Sequence, residues 1–511
     1  MVKHTGRRRA PDAGILPDCT VAGLERHPRL PNARESEALD ALIVLVAPGE
    51  STLWSRLPEP ARWRVLHARS KPAGLKWQST ALANARQTHA ILAYAKSGAS
   101  VFERLSFAGK LMGELSGRKP AQLGLIVSQA LPDAVAWCEA LLSAAWAASF
   151  SLPQFRSQPG EPWRLDALQL YAAPPLHVER LAATARAGNL VRALTALPPN
   201  KLDAAAYLRL LRILARRHRL QLRWYPEREL KRLGAGAFLA VARANAARNA
   251  GIAHLRWRGA RGAARGPDVA LVGKGILFDT GGINLKTHRS MLDMHIDMSG
   301  SAVALASLIA LAELRAAVAA DAWLAITENN TGPVAYRPQE IVRACNGTTI
   351  QVIHSDAEGR MVLADTLALA ARTRPALIID FATLTGACVH ALTERYSGVF
   401  TNRPKLAESL LAAGRDSGER VWNFPMDEDY DADIESTVAD VMQCAVEGKG
   451  DHILAARFLQ RFVADRPWVH LDLASAMRRG GLAHIATDIT GFGARWVLEL
   501  LLNRQLHRHA A

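Results

Sequence analysis

Two dense polar clusters interrupt otherwise apolar sequence between Leu271 and Arg360. The first reads Gly273-Lys274-Gly275-Ile276-Leu277-Phe278-Asp279-Thr280-Gly281-Gly282, followed by Lys286 and Met294-His295-Ile296-Asp297. The second reads His354-Ser355-Asp356-Ala357-Glu358-Gly359-Arg360. Asp279, Asp297, Asp356 and Glu358 form a set of four acids. Residues i and i+2 of an extended segment point to one side, so Asp356 and Glu358 are expected to serve one site, with His354 facing it too. Carboxylates gathered in one place repel unless cations neutralise them, which suggests one or two divalent metals. Two metals about 3.5–4 Å apart share a bridging carboxylate and a nucleophilic water. Lys274 and Lys286 suit two roles, a neutral amine ligand and a cation polarising a substrate oxygen, and the residues alone leave open which is which.

Simpler readings compete. Gly273-Lys274 matches the end of a phosphate-binding P-loop, but that loop needs Gly at 268, which is Asp, and Ser or Thr at 275, which is Gly. Gly281-Gly282 alone would be a tight turn, and Arg360 alone a salt-bridge residue. Neither a Gly-x-Ser-x-Gly elbow nor a His-Glu-x-x-His helix occurs.

The elements that must position these residues alternate between strand and helix patterns. Apolar runs at Ala41–Ala47, Ala90–Ala95, Leu123–Val127 and Leu165–Tyr171 read as buried strands, with helices at Val101–Leu115 and Asp133–Ala148 between them. This predicts a smaller N-terminal α/β domain over 36–173, preceded by a basic, flexible extension over 1–35. A helical pattern after Pro174-Pro175 predicts a linker helix within 174–200. Asp203 is placed to cap the next helix, and residues 201–511 read as the catalytic domain, with a helix at Met361–Ala371 and a near-continuous apolar strand at Ala376–Ala382. The alternation predicts a mostly parallel, doubly wound sheet, which places its chemistry at strand ends.

The 511 residues carry a net charge of +16, densest between Lys231 and Gly266, which raises a nucleic-acid reading. No aromatic-interleaved patch accompanies the charge. The five cysteines are scattered, arguing against a disulfide framework and for a reducing cytoplasm. No uninterrupted apolar run reaches the roughly 18 residues of a membrane span, and no apolar stretch follows Lys3, Arg7, Arg8 and Arg9 to make a secretory signal.

The clusters together resemble the leucyl aminopeptidase (cytosol aminopeptidase) family of two-metal exopeptidases, whose signature is Asn-Thr-Asp-Ala-Glu-Gly-Arg. Asp356 to Arg360 keep its last five positions, Lys274 to Gly282 match a second block, and Lys286, Asp297, Tyr336-Arg337-Pro338 and Thr383-Leu384-Thr385-Gly386-Ala387 fall in family order. The resemblance implies that Asp279 and Glu358 bridge two metals, Zn²⁺ or Mn²⁺ with Mg²⁺ as a third candidate. Asp356 would complete one metal site, and Lys274 and Asp297 the other. It further implies Lys286 on the scissile carbonyl oxygen, Arg360 holding a bicarbonate general base, and Met294, His354, Thr383, Leu384 and Gly386 on the substrate. The expected activity is release of N-terminal residues from peptides with a free amine, by a cytoplasmic homohexamer. The alternatives are a DNA-binding accessory protein or a catalytically silent hexameric scaffold on the same fold. Two departures stand out: His354-Ser355 replace the usual Asn-Thr, and Asp451-His452-Ile453 lies near a usual Gly-Ala-Ile-Thr stretch.

Overall fold

The computed structural model describes residues 18–50, 52–73, 76–259 and 266–510. Two large sheets organise it. The N-terminal sheet runs Gly23–His27, Ala167–Tyr171, Gln122–Val127, Ala41–Val46, His89–Tyr94, Trp77–Ala81, parallel throughout except for the last pair. Ala41–Val46 sits inside it and is buried along its whole length, as its unbroken apolar run requires.

Part of the expected flexible extension is ordered structure. Gly23–His27 pairs in parallel with Ala167–Tyr171, and Ala33–Glu37 is a short helix. Asn32 caps that helix, its side chain accepting the Glu35 N–H while the Glu35 carboxylate accepts the Asn32 N–H. The strand escapes sequence reading because it is a sheet edge, and Gly-Leu-Glu-Arg-His carries too little apolar alternation to announce it. Residues 1–17, with the basic run, lie outside the described residues.

The larger sheet has eight strands, in the order Val421–Asn423, Ser397–Thr401, Trp468–Asp472, Leu377–Ala382, Val269–Asp279, Ala320–Asn329, Gly251–Trp257, Gln221–Pro226. Trp468–Asp472 through Ala320–Asn329 are mutually parallel, and antiparallel pairs occur only outside them. Both faces are covered. Ser299–Glu313, Val178–Thr195 and Ala204–Arg217 pack on one side, Glu358–Ala371, Gly236–Ala242 and Asp451–Gln460 on the other. The fold is therefore α/β with a mostly parallel, doubly wound sheet. Asp203 caps Ala204–Arg217 through the Ala206 N–H at 2.7 Å.

Val178–Thr195, expected within a linker, packs as core: Ala183, Ala187, Leu190, Val191 and Leu194 join the apolar cluster of Ser299–Glu313. That partner helix is apolar on every side. Within His288–Glu313, among the described residues, lies a stretch long and apolar enough to cross a membrane, yet 83% of its apolar window is buried against protein. Burial between the sheet and its neighbouring helices accounts for the composition.

Part of the basic stretch is spent on internal contacts, while Lys231 and Arg232 are exposed. Arg243 donates to the carbonyls of Val334 and Ala335 and to Glu340, Arg248 pairs with Glu227, and Arg256 donates to Asp321. Arg261 and Arg265 lie outside the described residues.

The helix Ser299–Glu313 crosses the sheet at a glycine contact. A Cβ on Gly300 would collide with the Phe381 carbonyl, and one on Gly273 would lie 2.5 Å from the Gly300 oxygen and the Ser301 Cα. Backbone on both sides of this contact leaves nothing flexible to give way. Gly300→Ala is expected to cost about 3 kcal/mol or more, at the upper end for overpacking, read as a fall in thermal midpoint of several degrees.

Candidate metal centre

The site forms where the parallel strands end. Phe381 pairs with Gly273, so the strand Leu377–Ala382 stops beside Lys274 while Val269–Asp279 runs on. Asp279 closes that strand opposite Asn329, the last residue of the neighbouring strand. The chain then turns through Gly281 (φ +85°) and Gly282 (φ +64°), left-handed values that favour glycine, and the Gly281 N–H donates to Asp279 Oδ1 at 2.8 Å.

Asn329 ties the two clusters together. Its Nδ2 donates to Asp279 Oδ1 at 2.8 Å and to the Ser355 carbonyl at 3.0 Å. Ser355 Oγ donates to the Gly281 carbonyl at 2.7 Å, and Tyr336 donates to the Ser355 carbonyl at 2.6 Å. Asn329 had no sequence signal beyond its place at a strand end.

The second cluster is not extended. Ser355 and Asp356 lie in a turn, and Glu358 opens the helix Glu358–Ala371, three residues before the start expected at Met361. Asp356 and Glu358 converge because the chain turns into a helix, which replaces the i, i+2 argument. His354, expected to face the site, is exposed and absent from the cavity lining, and its Nδ1 accepts the Asp356 N–H at 3.3 Å. The other expected residues line one cavity of about 480 Å³: Lys274, Asp279, Lys286, Met294, Asp297, Asp356, Glu358, Thr383, Leu384 and Gly386. Arg360 lies just behind, 2% exposed.

Charge packs densely here. Lys274 Nζ lies 2.8 Å from Asp297 Oδ1 and 2.7 Å from Glu358 Oε1, and donates to the Thr383 carbonyl at 3.0 Å. Gly359 leaves the room for it, since a Cβ there would come within 2.7 Å of Lys274 Cε and Nζ. Lys286 Nζ lies 3.0 Å from Asp279 Oδ2 and 2.5 Å from Asp356 Oδ1. Thr383 Oγ1 donates to Asp297 Oδ1 at 2.6 Å, and Asp472 holds the following turn by accepting from the Leu384 N–H and the Thr385 hydroxyl. Burial, then the charges of Asp279 and Glu358, push the Asp356 carboxyl up to about 7. Asp297 is raised well above the usual carboxylate range by burial foremost, against the pull of Lys274. Burial disfavours the Lys286 ammonium, but Asp279, Glu358 and Asp356 outweigh it and hold its pKa above that of an ordinary lysine.

Divalent metals fit this set. Four carboxylates face two ammoniums in a nearly dry place, an excess of negative charge that divalent cations would balance. Asp297 Oδ2 and Glu358 Oε2 are buried with no hydrogen-bond partner, and Asp356 Oδ1 meets Lys286 only as an ion pair. Ligand oxygens of Asp279, Asp356 and Glu358 lie within 4.8 Å of one another.

Arg360, expected to hold bicarbonate, is paired with a carboxylate of the chain itself. Arg360 Nη2 donates to Asp451 Oδ2 at 2.7 Å and Nη1 to the Gln443 carbonyl at 3.2 Å, while its Nε is buried with no hydrogen-bond partner.

Comparison with known proteins agrees with the geometry. The model of the cytosol aminopeptidase family, catalytic domain, matches residues 189–498. The chain belongs to the cytosol aminopeptidase family. It is therefore a peptidase hydrolase. A probable cytosol aminopeptidase of Syntrophotalea carbinolica is 36% identical over 424 residues, 80% of this chain and 84% of that one. Another, of Acidovorax sp., is 45% identical over 259 residues, 51% of each chain. Among solved structures, the bottromycin maturation enzyme BotP in complex with Mn superposes with a TM-score of 0.78 at 30% identity, covering 92% of this chain and all of BotP. A variant of tomato leucine aminopeptidase superposes at 0.81 and 26% identity, covering 95% and 97%.

Asp279→Ala removes a carboxylate central to the cluster. Elemental analysis is expected to find fewer than two metals per chain in this variant and two in the parent protein.

Proposed function

We propose that the chain is a two-metal aminopeptidase that releases N-terminal residues from peptides with a free α-amine. The observation that carries this reading is the buried excess of carboxylate over ammonium within a substrate-sized cavity. Asp279 and Glu358 would bridge the two ions, Asp356 would complete one site, and Asp297 with the Lys274 amine the other. Zn²⁺ and Mn²⁺ suit such an oxygen-rich set with one amine, and Mg²⁺ is the third candidate. Bound ions would supply Lewis acidity and a water acidic enough to attack an amide at neutral pH.

The protein's own residues do the rest. Lys286 lines the cavity beside Asp279 and Asp356 and would donate to the scissile carbonyl oxygen as it gains charge. Met294 and Leu384 give the cavity apolar wall, joined by Ile296, Val389 and Met477, which suits an uncharged side chain. Gly386 also lines the cavity, with nothing within 4 Å of a Cβ built there. Thr383 supports the site through Asp297 and Lys274, and His354 lies outside the cavity lining. The protein would work in the cytoplasm, consistent with its five free cysteines, and as a homohexamer by its family.

The test is hydrolysis of a panel of aminoacyl amides with Mn²⁺, Zn²⁺, Mg²⁺ or a chelator. Cleavage of free-amine substrates, none of N-acetylated analogues and loss on chelation are the expected outcome. Equal cleavage of acetylated analogues would sink the exopeptidase reading. Lys286→Ala is expected to lower kcat by roughly a hundredfold or more, the scale for losing one oxyanion donor, with metal content unchanged. Loss of metal instead would mean that Lys286 is a ligand.

A further inference from the structure

Arg360 and Asp451 make an ion pair that the family resemblance does not foresee. Arg360 sits two residues after Glu358 in the helix Glu358–Ala371, and Asp451 opens the helix Asp451–Gln460 across from it. The contact is charge-assisted, Arg360 Nη2 to Asp451 Oδ2 at 2.7 Å, with the arginine side chain only 2% exposed. Gln443 frames the pair: its carbonyl accepts from Arg360 Nη1, its side-chain oxygen accepts the N–H groups of Ile353 and His354, and its amide donates to the Ala357 carbonyl. Asp451 is thus joined to the backbone that carries Asp356 and Glu358.

Two features show that the pair fills an anion position. Burying a guanidinium without a counter-charge is costly, so Arg360 needs an anion. The structure gives it one from the chain itself, at the start of the helix Asp451–Gln460. The second oxygen, Asp451 Oδ1, is buried with no hydrogen-bond partner, which leaves it open to accept a proton.

We propose that Asp451 is a built-in substitute for bicarbonate on Arg360, so that this peptidase needs no exogenous anion. Asp451 is not among the residues lining the cavity, so in hydrolysis the attacking water would pass its proton to the Asp451 carboxylate by way of one further water as its oxygen bonds to the scissile carbon. The same proton passes to the leaving amine as the C–N bond breaks, which regenerates the carboxylate and needs no further reactant. This rests on the proposed peptidase chemistry.

The test compares the metal-loaded protein with Asp451→Ala in carbon dioxide-free buffer, with and without millimolar bicarbonate, following both peptide hydrolysis and thermal midpoint. The parent protein is expected to change less than twofold in kcat on adding bicarbonate, with an unmoved midpoint. Asp451→Ala is expected to lose at least tenfold in kcat with KM nearly unchanged, to recover severalfold with bicarbonate, and to gain thermal midpoint from it. Stimulation of the parent by severalfold would overturn the proposal. So would a metal-replete, folded Asp451→Ala that keeps the parent kcat without bicarbonate, or one that responds to it in neither measurement. Should Asp451→Ala fail to fold, Asp451→Asn keeps the shape without the charge, and parental kcat in that variant overturns the proposal while a tenfold loss supports it. An inactive parent protein would instead strike the peptidase reading, because the midpoint response requires no turnover.

Discussion

Four carboxylates held almost out of water with only two lysines between them is the constraint on which the rest of this structure depends. Such a cluster opposes folding, since each buried charge loses hydration and each carboxylate repels the next. Lys274 and Lys286 relieve the repulsion in part by lying between carboxylates from both polar clusters. The remaining imbalance makes the place suited to divalent cations, and a surface cluster screened by water would have no such need.

The scaffold holds this charge by supplying rigid backbone on every side. Parallel strands end together at the site, and backbone hydrogen bonds and short polar side chains fix each carboxylate. Asn329 and Ser355 act as cross-braces between the two clusters, so that Asp279 and Asp356 share one framework. The glycine contact between Gly273 and Gly300 sets how close the core helix comes to the strand bearing Lys274. A stable apolar core on both faces of the sheet carries the cost of the polar centre.

Asp451 extends the same logic one layer outward. Arg360 is buried as deeply as the acids in front of it and has its own counter-charge from a separate helix. One guanidinium thereby links the helix of Glu358 to the helix of Asp451. Burial works to lower the Arg360 pKa, and the nearby Asp451 carboxylate overcomes it and raises it.

Much of this was legible in the residues themselves. Alternating apolar runs and helical patterns lead to a mostly parallel α/β sheet because each element must bury one face or both, a local requirement written in composition. The density of Asp, Glu and Lys in two short stretches pointed to a metal centre because like charges do not gather without cause. Other features depended on which chain segments meet. The edge strand Gly23–His27 is defined by its partner at Ala167–Tyr171 rather than by its own residues. Val178–Thr195 became core because the apolar helix Ser299–Glu313 lies across it. Asp356 and Glu358 did share a site, but through a turn into a helix, which took His354 away from the cavity that strand alternation had assigned to it. Asp451 lies 91 residues from Arg360, and no pattern within either stretch specifies their meeting. Hydrophobic periodicity is a property of neighbours in sequence, whereas the pairing of buried charges is decided by packing in three dimensions.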